Sequence, residues 1–204
     1  MTVDTFAKKR IGITGTIGSG KSTVGVILRG RGFPVLDADA CVHSLYRDCT
    51  ALRERLAVAF GRECLTVDGV NRQFFAELIF KDGSAREKLE SLVYPYLTDA
   101  VREFFTANSS PVFLEAALLH RIPEVVDLLD QVWLVDAPAQ VRLERLEQRG
   151  LSRDDAQRRI ETQGDLTALW AGAGTPLKKI DNASSLEQLE GLVAVSLESL
   201  VKAR

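Results

Sequence analysis

Residues 10–23 read Arg10-Ile11-Gly12-Ile13-Thr14-Gly15-Thr16-Ile17-Gly18-Ser19-Gly20-Lys21-Ser22-Thr23. The run from Arg10 to Thr14 is β-prone and stops at glycine, and Ser22 to Arg31 then reads as a helix ended by Gly32. Between them, Gly15 to Ser22 satisfies G-x-x-x-x-G-K-S/T, the pattern of a phosphate-binding loop. Glycines let the backbone curl until successive N–H groups point at one anion. The helix that follows places its positive end on the same anion. Lys21 is expected to reach the β- and γ-phosphates, the Ser22 hydroxyl to ligate Mg²⁺, and Thr23 to donate to the α-phosphate. Gly15, Thr16, Ile17, Gly18, Ser19 and Gly20 form the cradle.

Outward from this loop, strand-like and helical segments alternate. Phe33 to Asp37 reads as a second strand, and Pro111 to Glu115 and Gln131 to Asp136 are apolar and β-branched enough for buried parallel strands. Between Ala38 and Ala107 the pattern is helical, broken at Gly61 to Gly69. Pro138 stands near the first position of a charged helix that runs to Arg149 and is stopped by Gly150. Ser152 with Asp155 resembles a capping box that opens a second helix, to about Gln163. A loose stretch with Gly164, Gly172, Gly174 and Pro176 follows, then a strand over Leu177 to Asp181 and a closing helix from Ser185 to Lys202. Strands separated by helices imply an α/β, three-layer α/β/α fold on a parallel sheet. The expected core covers about 8–40, 110–140 and 176–204, with a helical subdomain at about 41–107 and a helical lid at about 141–172.

Of the 204 residues, 46% are apolar and 26% charged, and the formal net charge is −2, which favours neither a nucleic-acid nor an anionic-membrane surface. No apolar run approaches the roughly 20 residues that span a bilayer, and no signal peptide precedes the loop, so the expectation is a cytoplasmic protein. Cys41, Cys49 and Cys64 form no zinc or disulfide pattern with one another or with His43 and His120, and read as reduced thiols. The oligomeric state is open, a monomer being compatible with the sequence.

A hydrolytic switch or motor and a kinase both use such a loop. No guanine-specific N-K-x-D occurs, and Asp136, ending the run from Val132, reads equally as a Mg²⁺ group or as an acid that closes a strand. Asp37-Ala38-Asp39 sits at the carboxyl end of the second strand, where open α/β sheets place ligands, and favours a kinase. Asp39 is the expected base for an acceptor hydroxyl, and Asp37 is either a substrate contact or the N-cap of the next helix. Of the arginines between Arg142 and Arg159, Arg145 and Arg149 lie one turn apart and are the candidates for entering the site, the others pairing with Glu144, Glu147 and Asp155. Glu115 ends a strand at the ligand edge, to face the acceptor or a water on Mg²⁺, whereas His120 reads as a half-exposed residue beside Arg121.

The ordered strings TGTIGSGKST, VLDAD, VNRQFFAELIF, LESLVYPYL, FLEAALLHR, VWLVDAP, VRLERLEQR and IDNASSLEQL, from about Arg10 to Leu192, resemble dephospho-coenzyme A kinase. The resemblance implies a P-loop core, a helical acceptor-binding subdomain and a lid. It also implies transfer of the γ-phosphoryl of ATP, with Mg²⁺, to the ribose 3′-hydroxyl of dephospho-CoA, a small-molecule acceptor. By position Asp39 is then the base, and Arg145 and Arg149 are lid arginines. Asn182 lies near the adenine, and Arg72, Tyr94 and Leu118 lie on the acceptor side. Arg72 also reads as an exposed helix residue, and Asn182 as a turn residue.

Several positions depart from the family. Thr16 replaces a second glycine, Tyr94-Pro95 a His-Pro pair, Arg142 a glutamine, and Arg121 an acidic residue. The phosphate machinery is intact and the acceptor side altered. Two other readings therefore stand beside the first: another small nucleoside or nucleotide kinase, and an ATP-binding regulatory protein without transfer activity.

Overall fold

The computed structural model describes residues 8–108, 111–163, 166–170 and 174–201, with the backbone alone described at 167. The chain divides into two compact units, one formed by Met1–Leu36 and Phe104–Arg204, the other by Asp37–Glu103.

The first unit is built on a five-stranded sheet. Its strands are β1 (Arg10–Gly15), β2 (Val35–Asp37), β5 (Val112–Glu115), β6 (Gln131–Asp136) and β7 (Leu177–Asp181), in the order β2-β5-β1-β6-β7. β1 lies in the centre, parallel to β5 with Ile11 opposite Phe113, and parallel to β6 with Ile13 opposite Trp133; β6 and β7 are parallel as well. Alternation along β1 sends Ile11 and Ile13 to one face. There they meet Phe113, Trp133, Val135 and Ile180, and α1 (Lys21–Gly30) and α10 (Leu186–Glu198) cover them with Val24, Leu28, Leu189, Val193 and Leu197. Trp133 and Phe113 are fully buried, their ring centroids 5.3 Å apart. On the opposite face Leu119 and Leu129 lie over Gly12. Leu119 opens a 3₁₀ turn (Leu119–Arg121), and Leu129 follows the short α6 (Pro123–Val126).

After β6 the chain forms α7 (Ala139–Gln148) and α8 (Arg153–Gln163), which share a cluster of Leu143, Leu146, Ala156 and Ile160. Ser152 Oγ accepts from the Asp155 N–H at 3.2 Å, as the capping pattern requires. Pro138 is the N-cap rather than the first helical residue, because its ψ of 145° is extended. The stretch expected to be loose contains α9 (Leu166–Trp170), whose Leu166 and Trp170 are buried; two apolar anchors hold a five-residue helix that the glycines around it disguise. Gly164, Gly172 and Lys202 lie outside the described residues.

The second unit holds α2 (Ala38–Asp48), α3 (Thr50–Phe60), α4 (Arg72–Lys81) and most of α5 (Gly83–Ala107), which runs on through Pro95. The break at Gly61 to Gly69 is a 3₁₀ turn followed by a small antiparallel hairpin, β3 (Leu65–Thr66) and β4 (Gly69–Val70). Its core joins Leu52, Leu56, Cys64, Val70, Phe75, Leu89 and Val93. Phe75 packs edge-on against Phe60 and Phe74, with centroids at 5.1 and 5.3 Å. All three cysteines are free thiols.

Candidate active site

The phosphate loop joins β1 to α1 in the first unit. Its curl depends on two left-handed residues, Gly18 at φ +77° and Gly20 at φ +93°. The Ser19 N–H donates to the Thr16 carbonyl at 3.0 Å and closes the turn between them. Gly20 gives α1 no side-chain cap, so the N–H groups of Lys21 and Ser22 at its head are left for an external acceptor, while the Thr23 N–H turns back on the Gly20 carbonyl at 3.0 Å. Thr16 and Ser19 are buried, and among the described residues neither hydroxyl has a hydrogen-bond partner. Orphaned buried polar atoms inside an anion-binding curl fit a phosphate-bearing ligand.

Lys21 opens α1, and its Nζ donates to Glu115 Oε1 at 2.9 Å. Glu115 ends β5 and is 2% exposed, its other oxygen 3.7 Å from Arg29 of α1. In this structure the carboxylate is thus turned onto α1. The pairing of Glu115 with Lys21 spans 94 residues and carries no local signal.

The flank of the loop is braced by residues from β7 and α7. Asn182, just past β7, donates from Nδ2 to the Ser19 carbonyl at 2.7 Å and is 5% exposed. Arg145 donates to the Asn182 carbonyl at 2.9 Å and to its Oδ1 at 3.3 Å. The other arm of Arg145 reaches the carbonyls of Gly18 and Ser19, both at 3.4 Å. A methyl group on Gly20 would land on Asn182 Nδ2, so the glycine also makes room for the brace. Arg142 lies along Gly18 and donates from Nε to the Ala137 carbonyl at 3.1 Å. The crest of the loop is held as well: Gln163, ending α8, accepts from the Ile17 N–H at 2.6 Å, and the Ile17 side chain packs against the α7–α8 cluster. Sequence reading did not single out Gln163.

The remaining candidates divide by unit. In the first, Arg149 is the exposed C-cap of α7, and Ser22 is exposed at the second position of α1. Asp136 Oδ1 accepts from the Ala137 N–H at 2.9 Å, the bond of a strand-closing acid. Leu118 is 43% exposed and precedes the 3₁₀ turn of His120, whose imidazole is held below its ordinary range by burial and by Arg121. Exposed arginines of α8 pair on the surface, Arg153 with Glu147 and Arg158 with Asp155.

In the second unit, Asp37 Oδ1 accepts from the Ala40 N–H at 3.0 Å, so this residue is the N-cap of α2. Asp39 is exposed in the first turn of the same helix. Burial, joined by the charge of Asp37, pushes the Cys41 thiol up. The Asn71 side chain accepts from the Phe74 N–H at 3.1 Å and caps α4, leaving Arg72 exposed as its first residue. Arg72 is close enough to Tyr46 to oppose the rise that burial imposes on that phenol. Tyr94 is half-buried on α5.

Mg²⁺ keeps several waters and takes one or two protein oxygens beside substrate phosphates. The Ser22 hydroxyl at the head of α1 meets that requirement, and among the described residues no cluster of three or more His, Cys, Asp or Glu offers an all-protein cage. The donor set fits an ion carried in with the nucleotide. No helix among the described residues is long and apolar enough to cross a membrane.

The sequence model of the dephospho-CoA kinase family matches residues 9–187. The dephospho-CoA kinase of Listeria monocytogenes serotype 4b (strain F2365) is 34% identical over 200 residues, covering 95% of this chain and 98% of its own. Among solved structures, TT1252 from Thermus thermophilus superposes with a TM-score of 0.76 at 34% identity, covering 95% of this chain and 98% of its own. The dephospho-CoA kinase from Campylobacter jejuni gives 0.66 at 21% identity, over 94% and 96%, a likeness of fold.

Proposed function

Because this chain belongs to the dephospho-CoA kinase family, it phosphorylates dephospho-CoA with ATP to give coenzyme A, and we propose how its residues divide that work. The observation that carries the proposal is the uncapped head of α1, where Lys21 follows a loop whose buried Thr16 and Ser19 hydroxyls have no partner.

In this reading Gly15 to Thr23 bind the triphosphate, the backbone N–H groups holding the β-phosphate and Lys21 the γ-phosphate. Ser22 would hold Mg²⁺, which when bound draws charge from the phosphate oxygens. Arg145 and Asn182 fix the shape of the loop through the Gly18 and Ser19 carbonyls, so that its N–H groups are aimed before ATP arrives. Asn182 also borders the adenine, and exposed Arg149 neutralises charge on the migrating group from the helical lid.

Asp39 is the base in this division of labour. Its carboxylate takes the proton of the ribose 3′-hydroxyl as that oxygen bonds to the γ-phosphorus, and ADP leaves. In the helical unit Arg72 and Tyr94 are the acceptor contacts, and in the first unit Leu118 is assigned to the acceptor. Asp37 orients Asp39 by capping α2.

An acceptor panel with labelled ATP tests the assignment. Dephospho-CoA labelled at the ribose 3′-position is the expected product. Labelling of adenosine or AMP without labelling of dephospho-CoA overturns it.

A further inference from the structure

Lys21, Gly25 and Arg29 recur at every fourth residue of α1 and therefore share one face of the helix. Glu115 lies across that face, its Oε1 2.9 Å from Lys21 Nζ and its Oε2 3.7 Å from the Arg29 guanidinium. Gly25 makes the arrangement possible. A Cβ there would stand 2.5 Å from Glu115 Oε2 and 3.3 Å from an Arg29 nitrogen. One buried carboxylate thus sits between two cations of unequal exposure, Lys21 at 14% and Arg29 at 40%.

In its assigned role the Lys21 ammonium, whose Nζ is here directed at Glu115, turns to the β- and γ-phosphates of ATP. When Lys21 turns to the nucleotide, Glu115 loses its nearer partner, and a buried charge left without compensation is strongly destabilising. We propose that Arg29 is a positioning residue that keeps Glu115 paired when Lys21 is captured by ATP. Arg29 is the more exposed partner and is already within ion-pair reach, so it has freedom to close on the carboxylate. No proton moves and no covalent bond changes; one carboxylate passes from two cations to one, and the released cation meets the phosphates. This inference rests on the assignment of Lys21 to the phosphates of ATP.

The test is equilibrium ATP binding joined to steady-state kinetics on the full chain. Arg29→Met is expected to raise the Kd and KM for ATP about tenfold, equivalent to ~1.4 kcal/mol, with kcat at saturating ATP held within about twofold. Arg29→Lys should restore most of the affinity, because it returns a cation to the same place. In a Glu115→Gln background the Arg29→Met change should have no further effect, since a neutral amide needs no counter-charge. Unchanged ATP affinity in Arg29→Met overturns the inference, as does an equal loss in the Glu115→Gln background. Lys21→Met is measured alongside. If it binds ATP normally, the assignment of Lys21 fails; if it loses ATP while Arg29→Met does not, only the role of Arg29 fails.

Discussion

Asn182 reaches across 163 residues of sequence to donate its side-chain amide to the carbonyl of Ser19, in a buried bond of 2.7 Å. The same residue accepts from Arg145 through both its carbonyl and its Oδ1. Asn182→Ala removes the donor to the loop and one acceptor for the guanidinium while leaving the Ser19 carbonyl buried. A loss of about 1–3 kcal/mol in stability is expected, read by denaturant unfolding. ATP affinity, measured by titration, should fall about tenfold because the loop is no longer held in shape. Parent-like values in both measurements would remove Asn182 from the architecture of the loop.

Gly20→Ala attacks the same brace from the other side. The substitution forces an L side chain to φ +93° and drives its methyl group onto Asn182 Nδ2. Backbone strain of about 1–3 kcal/mol adds to the displaced amide. Nucleotide binding is expected to fall by at least about a hundredfold, more than for Asn182→Ala, because the curl itself is altered. Equal affinities for the two variants would count against the curl.

Asp39→Asn separates chemistry from binding. Asp39 is exposed in the first turn of α2, and its amide analogue keeps the size and the helix start. Turnover should drop by about 10² to 10⁴ while the Kd for ATP stays close to the parent value. A variant with parent-like turnover would dismiss Asp39 as the base.

Tyr46 supplies a pH-dependent term in the helical unit. Burial pushes its phenol up from 10.0 to about 12, against an opposing contribution from Arg72. The folded protein therefore favours the neutral phenol. The associated stability is fully present below pH 10 and is lost as pH climbs from there towards about 12. The term is of order 2 kcal/mol. Unfolding followed across this range should show the parent losing more stability than Tyr46→Phe. A difference between the two that does not vary with pH would contradict the assignment.

What could be read from the sequence was local. The loop from Gly15 to Ser22 announces itself by composition, and the run Gln131–Asp136 coincides with β6 because apolar, β-branched residues mark a buried strand. Leu177–Asp181 coincides with β7 although only Ile180 in it is buried. The capping pair Ser152 and Asp155 was legible because four consecutive residues contain the whole interaction. Strands of two residues, as at Leu65–Thr66 and Gly69–Val70, are too short to establish a period, and α9 was hidden among glycines. Partnerships across the chain were illegible. Arg145 and Arg149 look equivalent on a helical wheel, yet one is wrapped against the loop and the other faces solvent, a difference decided by where β7 delivers Asn182. The spacing of Lys21, Gly25 and Arg29 was visible, but it had no meaning until β5 brought Glu115 beneath it.

Ile17 is fastened from two directions, its N–H to Gln163 and its side chain to the α7–α8 cluster. The crest of the loop and the end of α8 are therefore joined at a single residue. A displacement of the crest on nucleotide binding would be passed through Gln163 to the C-terminal end of α8. A fluorescent dye at exposed Gln157, in the middle of that helix, would make the protein an optical gauge of its own nucleotide load, with no label near the chemistry.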